Sequence, residues 1–225
     1  MDRRTFIQNS TLATAAFSSL PILSALKRVA PYKTALVGTG WWGMNILRCA
    51  VQAGESKVVA LCDVDQNQLA KAQAELAKLT TDQPKTYGDF REMLAKEKPE
   101  IVIVATPDHW HALCCIEAVK SGAHVYVEKP ICHTIREGRA MVNAARKYGK
   151  MVQVGTHRRV SPHNVSGMEF LKSGKAGKIG MARAFVNYGG GPGVKVPNEE
   201  PPKGLDWDFW CGPAPLVPYN RTIHP

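Results

Sequence analysis

The sequence lacks the cysteine patterns that mark disulfide frameworks and zinc sites. Its 225 residues include six cysteines but no C-x-x-C pair, and the adjacent Cys114 and Cys115 have poor geometry for a bridge. These two residues, Cys49 and Cys62 lie within apolar helix or strand patterns. We therefore expect the cysteines to be small buried apolar residues rather than bridges or metal ligands.

The sequence also lacks a dense basic run interleaved with aromatic residues, although its formal net charge is +10. Its lysines and arginines are scattered, which is typical of a solvated basic surface and argues against a nucleic-acid partner. A hydrophobic content of 44% and a charged content of 21% are globular values and exclude a disordered chain.

No stretch is both long and apolar enough to be a convincing membrane span. Residues 1–30 instead combine a short charged start, with Arg3 and Arg4, and a weakly apolar, uncharged stretch over residues 10–26. Paired arginines ahead of such a stretch are typical of a bacterial twin-arginine export signal. We expect this segment to direct the protein to the periplasm or otherwise out of the cytoplasm. The alternative is a disordered basic tail.

What the sequence does contain is a regular alternation of strand and helix patterns over residues 31–156. The β-branched runs Lys57–Cys62 and Ile101–Thr106 are two of six predicted strands. The second run includes four consecutive large aliphatic residues, as in a strand that is buried on both faces. Six strands separated by helices predict a doubly wound parallel α/β sheet, the Rossmann arrangement.

The first strand is followed by a G-x-G-x-x-G turn made of Gly38, Gly40 and Gly43, and then by a helical pattern. In this context the first glycine allows the sharp turn, and the second lets the backbone approach a pyrophosphate. The third lets helix and strand pack closely. Backbone N–H groups at the helix start can then hold the anion. The turn predicts dinucleotide binding.

Asp63 ends the second predicted strand, about twenty residues beyond Gly43. A carboxylate at this place can accept both ribose hydroxyls of an adenosine half and would repel a 2′-phosphate, so NAD is favoured over NADP. The alternative role, capping the next helix, fits Asp63 less well because Asp65 and Asn67 can do it.

Two further features lie at predicted strand ends. Lys129 is followed by a proline, which fixes it at the mouth of a strand where a nicotinamide ring should lie. There, partly desolvated, it can exchange a proton with a substrate hydroxyl, although a solvated surface lysine is the alternative. His109 and His111 form an H-x-H pair, but helical residues two apart diverge. With no third ligand evident, we expect no metal site.

Five motifs in this order and spacing resemble the Gfo/Idh/MocA (glucose–fructose oxidoreductase / inositol dehydrogenase) family. They are GTGWWG, CDVD, ATPDHWHA, VYVEKP and VQVGTHRR. The resemblance covers residues 33–225, and the later LDWDFWCGPAPLVPYN is similar to a subgroup common among exported bacterial members. It implies an NAD(P)-dependent oxidoreductase acting on a sugar or cyclitol hydroxyl carbon, with a carbohydrate substrate. It also implies a homo-oligomer when the protein is full length.

The resemblance implies roles for individual residues. Lys129 would be catalytic and, with Arg158, would contact the substrate. Trp41 and Trp42 would present backbone N–H groups to the pyrophosphate while their rings wall the cofactor cleft. The implied cofactor-binding set is Gly38, Thr39, Gly40, Trp41, Trp42, Gly43, Asp63, Thr106, Pro107, His111, Glu128, Lys129 and His157.

Residues 157–225 would begin a second α/β domain, incomplete here, with a first helix and strand over residues 161–191. His163 and Asp208 are the later residues that we consider for catalysis, and neither matches the histidine that the family uses.

Two other functions stay open. One is redox-neutral, NAD-dependent glycoside cleavage, as in the N-acetylgalactosaminidase branch of the same superfamily. The other is a sensor that binds sugar and cofactor without turnover, against which the intact Lys129 argues.

Overall fold

A computed structural model describes residues 30–186 and 196–223. The predicted export signal, including Arg3 and Arg4, lies outside the described residues and stays a prediction. Among the described helices, none has the length and apolar character needed to cross a bilayer.

Six parallel strands form one sheet in the order β3-β2-β1-β4-β5-β6. The strands are β1 (Tyr32–Val37), β2 (Ser56–Cys62), β3 (Lys85–Tyr87), β4 (Ile101–Val104), β5 (His124–Glu128) and β6 (Val152–Gly155). This is the strand order of a Rossmann fold, in which successive strands are added toward one edge of the sheet from β1 to β3 and toward the other edge from β4 to β6. The predicted doubly wound parallel sheet is confirmed.

Helices connect these strands and follow the last one. They are α1 (Trp41–Gln52), α2 (Gln66–Leu76), α3 (Phe90–Glu97), α4 (Asp108–Lys120), α5 (Ile135–Tyr148), α6 (Pro162–Lys172) and α7 (Trp207–Cys211), with a 3-10 turn at His157–Val160. The side chains of Asp65 and Asp89 cap α2 and α3 by accepting backbone N–H groups. Thr134 and Glu137 form a capping box at the start of α5. These caps fix where each helix begins.

The sheet is buried on both faces. Val102 and Val104 of β4 pack into one hydrophobic core, and Ile103 between them packs into the other, with Leu36 of β1. Alternate residues of a strand point to opposite faces, so the continuous aliphatic run of β4 serves both cores, as predicted.

The cysteines follow the expectation in part. Cys62, Cys114, Cys115 and Cys211 are buried, Cys132 is half-buried and Cys49 is exposed, and all six are free. Cys49 lies on the apolar pattern of α1 but faces solvent, so that part of the expectation is wrong. Burial raises the pKa of the Cys62 thiol well above its usual range and that of Cys115 to about 12. These buried thiols are neutral at physiological pH and act as small apolar side chains.

The chain beyond β6 differs from the expected start of a second domain. Helix α6 forms at the predicted place, but none of its residues is buried. Residues 177–186, where a first strand was expected, have no regular secondary structure, and residues 187–195 lie outside the described part. Residues 196–223 instead build a small core around Leu205, Trp207, Cys211 and Tyr219.

Candidate active site

A cleft opens along the carboxyl ends of the strands and gathers eight of the predicted site residues. Those that line it are Gly38, Gly40, Trp41, Trp42, Gly43, Asp63, Thr106 and Pro107. They come from the loops after β1, β2 and β4, three neighbouring strands of a parallel sheet, and from the first turn of α1. Ligands of such sheets bind in the crevice outside the strand ends, where the strand order reverses.

The glycine turn is shaped for close approach. Gly38 has a φ of +90°, and a Cβ there would lie 2.5 Å from the Ala105 carbonyl oxygen. A Cβ at Gly43 would lie 2.0 Å from the Gly38 carbonyl oxygen. Both positions therefore require glycine. A Cβ at Gly40 would meet nothing within 4 Å, so this position leaves open space beside the cleft.

Gly40 is also the N-cap of α1, and it supplies no side-chain hydrogen bond to the helix. The first turn of α1 contains no acidic residue. Helix geometry leaves the N–H groups of this turn without intrahelical partners, and the helix dipole favours an anion there. The start of α1 thus fits the pyrophosphate of a dinucleotide.

Asp63 ties the end of β2 to the glycine turn. Its Oδ2 accepts the backbone N–H of Thr39 at 2.7 Å and the Thr39 hydroxyl at 2.9 Å. Its Oδ1 accepts the backbone N–H of Asp65 at 3.1 Å, while Asp65 itself caps α2. A carboxylate offers about four acceptor positions. One position, on Oδ1, is therefore left for a ribose hydroxyl, fewer than the two that the sequence led us to expect.

Glu128 lies behind the cleft rather than in it. It is 3% exposed, and a Cβ on Gly155 of β6 would lie 2.4 Å from its Oε1. Its Oε1 accepts the Tyr126 hydroxyl at 3.1 Å, and its Oε2 accepts the Lys129 backbone N–H at 3.2 Å. Burial, followed by the charge and hydrogen bond of Glu128, raises the pKa of Tyr126 to about 12. Glu128 therefore fixes the backbone at the end of β5 from the interior of the fold.

Lys129 follows β5 and stands exposed, and the Lys129–Pro130 peptide is cis. Because β5 pairs in parallel with β4, Lys129 ends its strand on the same edge of the sheet as Thr106.

His111, expected among the cofactor-binding residues, has its side chain in the interior of the fold. It is 1% exposed, and its ring nitrogens lie 2.6 Å from the Pro130 carbonyl oxygen and 2.8 Å from the Thr106 carbonyl oxygen. A neutral imidazole carries one N–H and can donate to one of these carbonyls at a time. His111 thus connects the loops that follow β4 and β5 from the interior of the fold.

The last predicted residues lie just beyond β6. The His157 ring is 5.2 Å from the Trp42 ring, and Arg158 is exposed. Within the described residues, His157 Nδ1 and Thr106 Oγ1 are buried without a hydrogen-bond partner. Buried polar atoms normally have partners, and of these two residues Thr106 lines the cleft. Trp41, expected to wall the cleft, is among its lining residues and is 75% exposed.

Four aromatic residues line the cleft that the sequence did not lead us to expect there. They are Phe90, Trp110, Phe209 and Trp210. Phe209 and Trp210 belong to α7, about a hundred residues beyond the H-W-H motif that holds them. His109 Nε2 lies 2.8 Å from the Trp210 carbonyl oxygen, and Trp110 Nε1 donates to the Phe209 and Trp210 carbonyls at 3.1 Å each. Across the described part of the chain, no three metal-ligating side chains meet at one point.

Comparison with known proteins agrees with this architecture. Residues 32–156 match the family described as "Oxidoreductase family, NAD-binding Rossmann fold" (GFO_IDH_MocA). The chain is 37% identical over 134 residues to a "Glycosyl hydrolase family 109 protein" of Stenotrophomonas maltophilia, covering 57% of this chain and 29% of that protein. It is 31% identical over 148 residues to an inositol 2-dehydrogenase of Salmonella typhimurium, covering 65% and 43%.

Among solved structures, the WlbA dehydrogenase from Bordetella pertussis in complex with NADH and UDP-GlcNAcA is similar, with a TM-score of 0.58 and 25% identity. That match covers 64% of this chain and 42% of the other. The chain therefore spans less than half the length of these relatives. The match over residues 32–156, together with the fold and its glycine turn, shows that the chain belongs to the Gfo/Idh/MocA oxidoreductase family and carries its NAD-binding Rossmann domain.

Proposed function

We propose that this protein is an NAD-dependent oxidoreductase that moves a hydride between nicotinamide and a hydroxyl-bearing carbon of a sugar or cyclitol. The observation that supports this best is the meeting of three features at one edge of the sheet. They are the open N-terminus of α1, the Asp63 carboxylate and the exposed Lys129 amine. The similarity to an inositol 2-dehydrogenase supports the substrate class.

Bound NAD would supply the hydride acceptor. Lys129 would accept the proton of the substrate hydroxyl at its Nζ as the carbon is oxidised, and would return a proton in the reverse direction. Arg158 would bind substrate hydroxyl oxygens. Asp63 would hold the adenosine ribose and disfavour a 2′-phosphate.

Two buried groups would fix the backbone at Lys129. Glu128 accepts the backbone N–H of Lys129, and His111 contacts the carbonyl of the next residue, Pro130. Both are almost fully buried. The lysine backbone would thus be fixed while its side chain stays free to reach a substrate, which is the geometry that a positioned acid–base group needs.

The test is oxidation of a panel of sugars and cyclitols in the presence of NAD, followed by the absorbance of reduced nicotinamide. Lys129→Met should leave NAD binding nearly unchanged and slow hydride transfer by about two to four orders of magnitude. Lys71→Met, an exposed lysine on α2, is the matched control and should behave as wild type. Wild-type turnover in Lys129→Met would remove this residue from the mechanism.

A second candidate is redox-neutral glycoside cleavage, which the similarity to the "Glycosyl hydrolase family 109 protein" favours. In that case the hydride would leave the sugar and return to it, so that the net reaction is hydrolysis without accumulation of reduced cofactor. Release of the leaving group from aryl glycosides that requires NAD but produces no net NADH would identify this reaction. Binding of sugar and NAD without either turnover would instead identify a sensor.

We further propose that the protein is exported by the twin-arginine route and retains its NAD. The compartment outside the cytoplasm offers no pool of free NAD, whereas this route carries folded proteins with cofactor already bound. Nanomolar affinity, about −12 kcal/mol, would then be needed. We expect the full-length protein to be a homo-oligomer. After export it should show the absorbance of a bound dinucleotide, and this absorbance should survive extensive dialysis. Loss of the dinucleotide on dialysis would favour an ordinary dehydrogenase.

A further inference from the structure

The segment Leu205–Gly212, called the clamp below, contains α7 and is attached to the loop after β2. Leu205 forms an antiparallel bridge with Asp65. The backbone N–H of Asp206 donates to the Val64 carbonyl at 3.0 Å. The clamp is therefore joined by main-chain hydrogen bonds to the loop that carries Asp63.

The other side of the clamp is attached to the start of α4. His109 and Trp110 bind the carbonyls of Phe209 and Trp210, as described above. Gly212 ends the clamp with a φ of +48°, and a Cβ there would lie 2.1 Å from the Trp110 ring. A side chain larger than hydrogen at this position cannot be accommodated without moving the clamp away from α4.

Between these two attachments, the clamp presents two half-buried aromatic rings to the cleft. The Phe209 ring packs edge-on against Trp110 at 5.2 Å, and the Arg91 guanidinium lies 5.3 Å from its centre. The Trp210 ring stacks on Trp207 at 4.7 Å. Both rings are held in place before any ligand arrives, and both line the cleft that contains Asp63.

We propose that the clamp is the outer wall of the adenosine half of the dinucleotide site, with Phe209 and Trp210 as its contact residues. Asp63 marks this half of the cleft, because the carboxylate after β2 serves the adenosine ribose. Adenine is a flat, weakly polar ring system, for which preformed aromatic surfaces are suitable partners. The inference concerns binding alone and holds for either reaction proposed above.

The test is calorimetric titration of the 225-residue chain with NAD and with ADP-ribose, which lacks nicotinamide. Phe209→Ala and Trp210→Ala should each weaken both ligands by the same factor, about 5- to 100-fold. Gly212→Ala should also weaken both, although it removes no aromatic ring, because it displaces the clamp from Trp110. Leu216→Ala, an exposed residue of the same C-terminal region outside the cleft, is the matched control and should bind as wild type.

Circular dichroism shows whether each variant keeps its fold. Unchanged affinity for ADP-ribose in both aromatic variants would overturn the inference and leave the proposed reaction intact. Weaker binding of NAD with unchanged binding of ADP-ribose would also overturn it, because the rings would then lie at the nicotinamide half.

Discussion

Replacing Asp63 by alanine should lower the affinity for NAD, relax the selectivity against NADP and weaken the glycine turn. The wild-type carboxylate receives three hydrogen bonds from the protein, two of them from Thr39, and keeps one acceptor position on Oδ1. The variant therefore removes both a ligand contact and a structural contact, and the two effects are separable by their readouts.

The ligand contact is a hydrogen bond to a charged acceptor, worth about 1.5–3 kcal/mol. Its loss corresponds to roughly 10- to 150-fold weaker binding of NAD. Binding of NADP should fall less or rise, because the carboxylate that repels its 2′-phosphate is gone. The structural contact is the hydrogen bond that the Thr39 backbone N–H donates to the Asp63 carboxylate, and Thr39 is 2% exposed. Leaving this donor unpaired should cost about 1–3 kcal/mol in the free energy of unfolding.

Calorimetric titration with NAD and NADP, together with urea unfolding, measures both effects. Asp65→Ala is the matched control, because Asp65 is the neighbouring carboxylate but caps α2 instead of facing the cleft. It should lose about 0.5–2 kcal/mol of stability and keep the wild-type ratio of NAD to NADP affinity. The reasoning is refuted if Asp63→Ala keeps that ratio as well.

Three further predictions concern other parts of the chain. Tyr87→Phe should lower the free energy of unfolding at pH 7 by about 1.5 kcal/mol, measured by urea titration at several pH values. The Tyr87 hydrogen bond, and then Lys85, lower the pKa of Glu97. The stabilisation is therefore present above the pKa of about 4.3 that Glu97 has in the unfolded chain, and it is lost as the pH falls through the lowered pKa of Glu97 in the folded protein. A difference in unfolding free energy between Tyr87→Phe and wild type that does not change with pH would contradict this. Cys49, exposed on α1, should be alkylated at neutral pH ahead of the buried cysteines, and mass spectrometry that finds equal labelling in the native protein would argue against the described core. Replacing both Arg3 and Arg4 by lysine should keep the full-length protein in the cytoplasm, and unchanged export in a fractionation assay would count against a twin-arginine signal.

The parts of the fold that the sequence predicts are those set by local rules. The aliphatic run of β4, the glycine turn and the cap at Asp65 each depend on neighbours within a few residues. Strand order then follows from the alternation of strands and helices, because right-handed crossovers leave few arrangements. The meeting of the glycine turn and Asp63 at one edge of the sheet is a consequence of the same rules.

The parts that escape prediction depend on contacts between distant residues. The H-W-H motif has no periodicity that points to its role, because His109 and Trp110 bind main-chain carbonyls of α7, a hundred residues away. His111 and Glu128 were expected to bind the cofactor because the resemblance to the family implies it. Whether such a side chain enters the cleft depends on which side of its helix or strand faces the interior. The side chains of His111 and Glu128 both face the interior. The strand expected within residues 161–191 is absent from residues 177–186, and a strand needs a pairing partner that its own sequence does not reveal.

The central claim is that a hydride moves between a substrate carbon and nicotinamide at the edge of the sheet where Lys129 stands. The most direct measurement is the transfer of deuterium from cyclitols and sugars labelled at their hydroxyl-bearing carbons to NAD bound by the protein, followed by mass spectrometry of the dinucleotide. The account predicts one deuterium in the nicotinamide ring with wild type and far slower labelling with Lys129→Met. Nicotinamide that stays free of deuterium with every labelled substrate, while NAD is demonstrably bound, would contradict it.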